Sequence, residues 1–126
     1  MSEIRATTIS DTAGTGPVTL TKQSAAKAWV NFDGSGTISI NNSFGVASLV
    51  DNAVGENTTN FTSAFDSANY TGAALTKRQT STAFPTITNI DGTVTASAIK
   101  IIHNKYDNSD RADCDLMTHT FHGDLA

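Results

Sequence analysis

Charged side chains are scarce in this sequence. Asp, Glu, Lys and Arg make up 16% of its 126 residues, against roughly 25% in an average globular domain. The net charge is −4, and no run of Lys or Arg exceeds two residues. Because nucleic-acid binding depends on clustered cations that neutralise phosphates, we expect no nucleic-acid partner. Thr, Ser and Asn replace the missing charges and give a polar surface that can be buried between subunits without unpaired ions.

Cysteine and long apolar stretches are also nearly absent. The single Cys114 excludes an internal disulfide framework, and a lone thiol is typical of a protein made in a reducing cytosol. We expect Cys114 to pack as a small buried hydrophobe. No apolar run approaches the roughly 20 residues of a membrane helix, so we expect no membrane insertion. The first residues show no basic start followed by an apolar run, so we also expect no secretory signal.

Apolar and polar residues alternate with a period of two from Ala26 onward, which indicates β-strands. The predicted strands lie in the segments KAWVNF, TISIN, NSFGVASLVDN, ENTTNFTSAF, ANYTGAAL, VTASAIKII and ADCDLMTHTF. Residues 76–93, which contain Pro85 and an Asp-Gly turn, are predicted to be irregular. No segment longer than about ten residues has helical apolar spacing. We therefore predict an all-β fold, a compact β-sandwich or jelly-roll-like domain over residues 26–126.

Residues 1–25 are predicted to form an extended N-terminal arm. Two β-prone pieces, Ile4–Ile9 and Val18–Thr21, flank the turn-forming segment DTAGTGP. An arm this polar buries little by itself, so we expect another surface to hold it, by strand addition or by threading between subunits. The candidate interaction residues of the arm are its apolar side chains Ile4, Ile9, Val18 and Leu20.

The segment DGSGT, which begins at Asp33, contains the residue types of a cation or phosphate loop. A helix–loop–helix calcium site needs alternating oxygen ligands and a closing acid, but no second acid follows before Asp51. A phosphate loop needs a Lys after its glycines and then a helix, whereas a strand is predicted here. We therefore predict a tight hairpin turn with Asp33, Gly34 and Gly36 as its signature. Its two strands are predicted to bury the apolar side chains Val30, Phe32, Ile38 and Ile40.

Histidines and acids provide the candidates for a metal site. On a strand, the spacing of three between His119 and His122 directs them to opposite faces, so a zinc site would need His103 to converge from another strand. A second candidate, for calcium, is the set of acids Asp107, Asp110, Asp113 and Asp115. Arg111 and Lys105 among these acids favour a solvated loop. We therefore predict no metal and no cofactor.

Catalytic arrangements find no positive support in the sequence. Gly34-Ser35-Gly36 lacks the spacing of a nucleophile elbow. Cys114 and His119 are an odd number of residues apart, which would place them on opposite faces of one strand. No pair of acids stands out as a glycosidase site. We therefore expect a protein that is not an enzyme.

Trp29 is the aromatic residue with the clearest candidate role. It alternates with Ala28 and Val30, so it points away from the predicted core. A tryptophan in this position packs in an interface or a second layer, or it serves as a platform on which a sugar ring stacks. Tyr70 and Tyr106 are further candidates for such a platform.

Three segments of the chain resemble a group of small virion proteins from phages of aquatic bacteria. They are SAAKAWVNFDGSGTISINNSFGVASLVDN, NFTSAFDSANYTGAAL and HTFHGDLA. The family pattern runs K-A-W-V-N-F-[ND]-G-[TS]-G-T, then S-F-x-V-S-S-[IL]-x-D-N, then N-F-T-x-x-M-x-[DN]-A-N-Y, and many members are described as tail-fibre proteins. The arm segment ATTISDTAGTGPVTLT similarly resembles the leader of phage fibre proteins, where such a tract precedes a trimeric β domain. The chain departs from the pattern at DNAVGENTT, and at Phe65, where Met is usual.

The resemblance implies a non-catalytic structural protein of a bacteriophage virion, made in the cytoplasm of the host bacterium. It implies a tail-fibre or fibre-like component that forms a homotrimer and contacts other virion proteins of the tail or capsid. A capsid decoration (cement) protein is the alternative, since the chain lacks the long rod of an adhesin-bearing fibre. A weaker alternative from another class is a carbohydrate-binding module that attaches to a host surface glycan through Trp29.

Overall fold

The structure, a computed structural model, describes residues 26–77, 86–92, 94–105 and 110–126. These residues form eight β-strands, and no helix occurs within the described ranges. The strands are β1 (Ala28–Asp33), β2 (Ser39–Phe44), β3 (Val46–Ala53), β4 (Glu56–Phe61), β5 (Thr71–Thr76), β6 (Thr86–Ile90), β7 (Ala98–Lys105) and β8 (Met117–His122). The predicted all-β fold is confirmed. The predicted arm, with Ile4, Ile9, Val18 and Leu20, lies outside the described residues.

The strands form two four-stranded sheets in which all neighbours are antiparallel. The first sheet has the order β2-β1-β8-β5, and the second has the order β3-β4-β7-β6. On the central strands β1, β4, β7 and β8, buried residues alternate with partly exposed ones. The buried residues of both sheets form one interior, so the fold is a compact sandwich.

Aromatic side chains fill one end of this interior. Phe61 packs edge-on against Phe65 and Phe121, with ring centroids 4.9 Å and 5.0 Å apart. The ring of Tyr70 stacks on Phe65 at 4.3 Å, and its hydroxyl donates to the carbonyl of Thr95 over 3.1 Å. Edge-to-face and offset-stacked rings are the favoured arrangements of aromatic pairs. This end therefore forms the larger part of the apolar core.

A second core cluster lies beside it and contains Val30, Phe32, Cys114 and Met117. Cys114 is 1% exposed, so the prediction that it packs as a buried hydrophobe is confirmed. The prediction that a strand holds it opposite His119 is wrong. Cys114 precedes β8, and both residues are buried.

The predicted hairpin between β1 and β2 is present, with residues 34–38 as its connection. Asp33 Oδ1 accepts hydrogen bonds from the Ser35 backbone N–H at 2.8 Å and from its hydroxyl at 2.6 Å, and these bonds lower the pKa of Asp33. Gly36 adopts a φ of +64°, a region that favours glycine. Gly34 is buried, its N–H donates to the carbonyl of Cys114 over 2.9 Å, and a Cβ there would crowd the end of Met117. The connection is longer than the predicted tight turn.

The prediction that Ile40 is buried is wrong, because its side chain is 41% exposed. Val30 and Phe32 on the central strand β1 are buried as predicted, and Ile38 packs against them partly buried. Ile40 lies on β2, an edge strand whose register against β1 shifts between Asn31 and Phe32. Ile40 pairs directly with the buried Phe32 and so shares its inner face, but among the described residues β2 has a neighbouring strand on one side only, which leaves the Ile40 side chain partly open to solvent.

Two predicted segment assignments are corrected by the structure. The predicted single strand NSFGVASLVDN is divided at Gly45 into the end of β2 and the start of β3, which belong to different sheets. Gly45 has a φ of +67°, and a Cβ there would collide with the carbonyl oxygen of Lys27. The segment 76–93, predicted to be irregular, contains the end of β5 and the whole of β6. Strand β6 forms because its uninterrupted pairing with β7 satisfies its backbone.

Candidate functional site

Trp29 lies on the outer face of the first sheet, on the central strand β1. Strand pairing places it in one row with Phe44 of β2, Thr120 of β8 and, across β8, Ala73 of β5. Directly paired residues of antiparallel strands share a face of the sheet. The row therefore forms a continuous band across all four strands.

A second row lies beside the first. It contains Asn31 of β1, Thr118 of β8 and Leu75 of β5. Together the two rows define the Trp29 face, which consists of Trp29, Asn31, Phe44, Ala73, Leu75, Thr118 and Thr120. These seven side chains include no acid and no base.

The Trp29 face exposes large apolar side chains. Leu75 is 75% exposed and Phe44 is 59% exposed, whereas Trp29 is partly buried. A shallow cleft of about 410 Å³ runs along the face between the side chains of Trp29 and Leu75. Asn31, Thr118 and Thr120 contribute polar groups to its lining. This surface can lose its water at low cost, because no charge has to be desolvated.

The outer side of the second sheet is different, because it has ionic contacts. Glu56 forms ion pairs with both Lys100 and Arg111, and Lys100 also pairs with Asp91 at 2.9 Å. The carboxylate side chain of Glu56 is only 11% exposed. These ion pairs connect β4, β7 and the segment before β8, so their charges are used in holding the fold together. The Trp29 face is thus the stronger candidate for contact with a partner.

A pair of histidines lies inside the sandwich. His103 of β7 and His119 of β8 are 0% and 1% exposed, and their nearly parallel rings have centroids 5.4 Å apart. The His103 Nδ1 lies 3.1 Å from the hydroxyl of Thr88. The other three ring nitrogens have no hydrogen-bond partner among the described residues. Burial lowers the pKa of His103 to about 4, and burial together with His103 lowers the pKa of His119 to about 3.

The three histidines do not converge. His122 alternates with the inward-facing Phe121 and lies near the hydroxyl of Thr120 on the outer face. Within the described ranges, no three or more His, Cys, Asp or Glu side chains are grouped so that they could hold a metal ion. The histidine pair is therefore a buried polar element of the core.

The acids near residue 110 each have a separate partner. Asp113 accepts a hydrogen bond from the Gly55 N–H at 2.6 Å, and Asp115 pairs with Lys77 at 3.1 Å. Asp110 pairs with Lys105 at 3.3 Å. Asp107 lies outside the described residues. The three described acids are directed to different places, so they do not form a common calcium-binding cluster.

Cys114 has an environment that disfavours reactivity. Burial is the main cause that raises the pKa of its thiol, and the neighbouring carboxylates of Asp113 and Asp115 raise it further. The thiolate is the nucleophilic form of cysteine, so a raised pKa reduces its reactivity at neutral pH. Cys114 is best explained by its packing.

Of the aromatic residues considered as a sugar-stacking platform, Trp29 and Tyr70 have different surroundings. Trp29 lies at the centre of an open face, whereas Tyr70 packs its ring against Phe65 inside one end of the sandwich. Burial also raises the pKa of Tyr70 to about 12. Tyr106 lies outside the described residues. Sequence reasoning missed Phe44 and Leu75, whose position beside Trp29 depends on strand order.

Comparison of the chain with protein families, with curated proteins and with solved structures found no match. The described ranges contain no helix of the length and hydropathy needed to cross a membrane.

Proposed function

We propose that this chain is a non-enzymatic structural protein of a bacteriophage virion, a tail-fibre-like component that forms a homotrimer through the Trp29 face. The observation that carries the proposal is the uncharged composition of this face. Interface cores are depleted of charged residues and enriched in aromatic ones, and tryptophan is among the commonest residues that dominate binding energy. The Trp29 face has this composition, with Trp29 between the exposed Phe44 and Leu75.

The sequence resemblance supports the virion setting and the number of subunits. It covers the β1–β2 hairpin, most of β3, the end of β4, most of β5 and the C-terminal end of the chain. The arm segment separately resembles the leader of phage fibre proteins, in which such a tract precedes a trimeric β domain. The partners of the trimer are other virion proteins of the tail, or of the capsid if the chain is a decoration protein.

A charge placed on the Trp29 face tests the assembly. Leu75→Asp introduces a carboxylate at a side chain that is 75% exposed, so the fold is expected to tolerate it. Val50→Asp is the matched control, because Val50 is 44% exposed and lies on β3 of the other sheet. Light scattering after size exclusion should show a trimer for the parent and for Val50→Asp, and a monomer for Leu75→Asp. A trimer that survives Leu75→Asp would exclude this face as the contact.

The copy number of the protein in purified virions decides between tail and capsid. Quantitative mass spectrometry against a major capsid protein should give a few to a few tens of copies for a tail component. Hundreds of copies would instead identify a capsid decoration protein. Absence of the chain from purified virions would contradict both placements.

Glycan binding is a second candidate function, and the cleft on the Trp29 face favours it. A tryptophan ring can stack on the apolar face of a sugar, while amide and hydroxyl groups nearby bind its hydroxyls. The cleft combines Trp29 with Asn31, Thr118 and Thr120 in this way. The ligand would be a neutral glycan of the host surface, since the seven residues of the face have no charge.

A further inference from the structure

One side of the sandwich is formed by two edge strands, β5 and β6, that contain no charged residue. Their sequences are TGAALT and TITNI. A cleft of about 400 Å³ opens between them, and its lining includes Gly72 and Ala74 of β5 together with Ile99, Ile101 and Phe121 of the core. The cleft therefore brings solvent close to the apolar interior on this side of the molecule.

The outer edge of β5 lacks the features that usually protect an edge strand. Natural sheets protect their edges with charged residues, prolines and bulges. Strand β5 contains no charge and no proline, and its register against β8 is regular over its whole length. On the opposite side of the sandwich, β2 and β3 each have register shifts against their neighbours. Among the described residues, no strand pairs with the outer edge of β5. Such an edge is suited to pair with another strand.

Alternate residues of β5 direct their backbone groups away from the sheet. The Lys77 N–H donates to the carbonyl of Leu116 over 2.9 Å, which continues the pairing of β5 with β8. Hydrogen-bonded and non-hydrogen-bonded pairs alternate along an antiparallel ladder, so every second residue before Lys77 also bonds to β8. The residues between them direct their N–H and C=O groups outward, and these are Gly72, Ala74 and Thr76.

These outward groups are complementary to a second copy of the same strand. In a two-fold contact, residue i of one copy meets residue j of the other, and residue j meets residue i. With the axis at Ala74, this residue pairs with the partner's Ala74, and Gly72 pairs with the partner's Thr76. Every outward N–H and C=O of the strand then has a partner, which no other two-fold register within the strand achieves.

The side chains of β5 also fit this contact. A two-fold axis brings a strand close to its own copy, so a charge in β5 would face a like charge, which is destabilising. The residues nearest the axis are instead the small Ala73 and Ala74. On the outer face, Leu75 lies opposite the partner's Ala73 in this register. The Leu75 side chain, which is 75% exposed in the single copy, therefore gains an apolar neighbour.

We propose that β5 pairs antiparallel with β5 of a second copy about a two-fold axis at Ala74, so that the first sheets of two copies join into one. The second copy also covers the cleft between β5 and β6. This contact goes beyond the proposed function, because it uses the backbone of an edge strand and leaves the side chains of the Trp29 face directed outward. Since β5 is short, we expect the contact to form at high protein concentration and to dissociate at the dilution of size exclusion.

A disulfide across the axis tests the contact and its register. The Cα atoms of a hydrogen-bonded antiparallel pair are about 5.5 Å apart, within the range of a disulfide. Ala74→Cys in the full chain, oxidised by air at high protein concentration, should therefore give a disulfide-linked dimer on a non-reducing gel. Cys114 is 1% exposed, so the introduced thiol is the one available for this reaction. Val50→Cys, on β3 of the other sheet, is the control for random collisions and should remain mostly monomeric.

Two gel results would overturn the proposal. The first is a dimer yield from Ala74→Cys no higher than that from Val50→Cys. The second involves Ala73→Cys, whose thiol lies on the other face of β5. In the proposed register its Cα is about 7–8 Å from that of its copy, beyond the range of a disulfide. Preferential dimer formation by Ala73→Cys would indicate a different register or a contact through the Trp29 face.

Ala74→Pro tests the backbone hydrogen bonds themselves. Proline removes an outward N–H and leaves the bonds between β5 and β8 in place, the position in which edge strands tolerate it. In sedimentation at increasing concentration, the parent should reach at least about twice the mass of Ala74→Pro, as expected for a two-fold contact. Ala74→Ser retains the N–H and should associate like the parent. Equal masses of the parent and Ala74→Pro at every concentration would contradict the pairing.

Discussion

His103 and His119 lie with their imidazole rings nearly parallel and their centroids 5.4 Å apart, although they project from strands of different sheets. Burial holds the pKa of His103 at about 4 and that of His119 at about 3. The rings of Phe32 and Phe121 contact His119, the hydroxyl of Thr88 lies beside His103, and all three side chains are uncharged. A proton on either ring would therefore be buried without a counter-charge, and both rings are neutral at pH 7.

We expect the free energy of unfolding to fall as the pH decreases from about 6.5 to about 4. In the unfolded chain the histidines titrate near their ordinary pKa of 6.5, so this state binds protons that the folded state does not accept. Each histidine then lowers the free energy of unfolding by up to about 1.4 kcal/mol per pH unit. Above pH 6.5 the effect vanishes, because both states are neutral. Urea unfolding at several pH values, followed by the fluorescence of Trp29, measures the slope.

Two variants assign this slope to the buried pair. His119→Leu removes one of the two titrating groups and should reduce the slope between pH 6 and pH 5 by about half. His122→Gln removes the histidine on the outer face and should leave the slope unchanged. An unchanged slope in His119→Leu would show that other groups control the acid sensitivity.

Gly45→Ala is expected to destabilise the fold strongly. The residue has a φ of +67° where the chain passes from β2 to β3, and an added Cβ would meet the backbone of Lys27 and Ala28. Left-handed backbone costs about 1–2 kcal/mol for a residue with a side chain, and the collision adds to this cost. We expect a loss of about 3 kcal/mol or more in the free energy of unfolding, measured by urea denaturation.

Gly36→Ala is the matched control for this prediction. Gly36 has a similar φ of +64°, but no atom lies within 4 Å of an added Cβ. Only the backbone cost of about 1–2 kcal/mol should therefore remain. Equal losses in the two variants would show that the close approach to Lys27 is unimportant.

The elements that were predicted correctly are strands whose own alternation of apolar and polar residues shows which side chains face the interior. On β1, the alternation of Val30 and Phe32 with Trp29 correctly indicates which residues face the interior. Gly45 could not be recognised as a boundary, because apolar residues continue on both sides and its collision partner, Lys27, is distant in sequence. Strand β6 was missed since its polar sequence has weak alternation and its stability comes from pairing with β7.

The candidate site was predictable only in part, because strand order and register bring its side chains together. The outward direction of Trp29 follows from alternation on β1, whereas its neighbours Phe44 and Leu75 depend on strand order and register. The contact between His103 and His119 depends on how two sheets stack, which no local pattern contains. Sequence periodicity therefore predicts the face of a residue but not its neighbours across the sheet.

Glu56→Gln is expected to lower the free energy of unfolding by about 1–2 kcal/mol, between the values typical of exposed and of buried ion pairs. The Glu56 side chain is 11% exposed and neutralises both Lys100 and Arg111. The neutral amide would leave Arg111 without this partner. Asp115→Asn is the control, because Asp115 and Lys77 are about half exposed and the change should be below about 1 kcal/mol. Thermal unfolding of both variants at low and high salt compares them, and equal effects would contradict a special role of Glu56.

Trp29→Ala is expected to weaken any glycan binding by the Trp29 face about tenfold or more. The indole forms one wall of the cleft, and the loss of a stacking ring costs about 1.4 kcal/mol or more, a factor of about ten in affinity. Phe44→Ala is the matched control, because Phe44 lies in the same row but does not line the cleft. Glycan-array screening of the parent, followed by titration of each variant with a neutral glycan that binds, measures the effect. If the parent binds no glycan while Leu75→Asp still disrupts its assembly, the face serves subunit contact alone, since a surface that three copies bury cannot also hold a sugar.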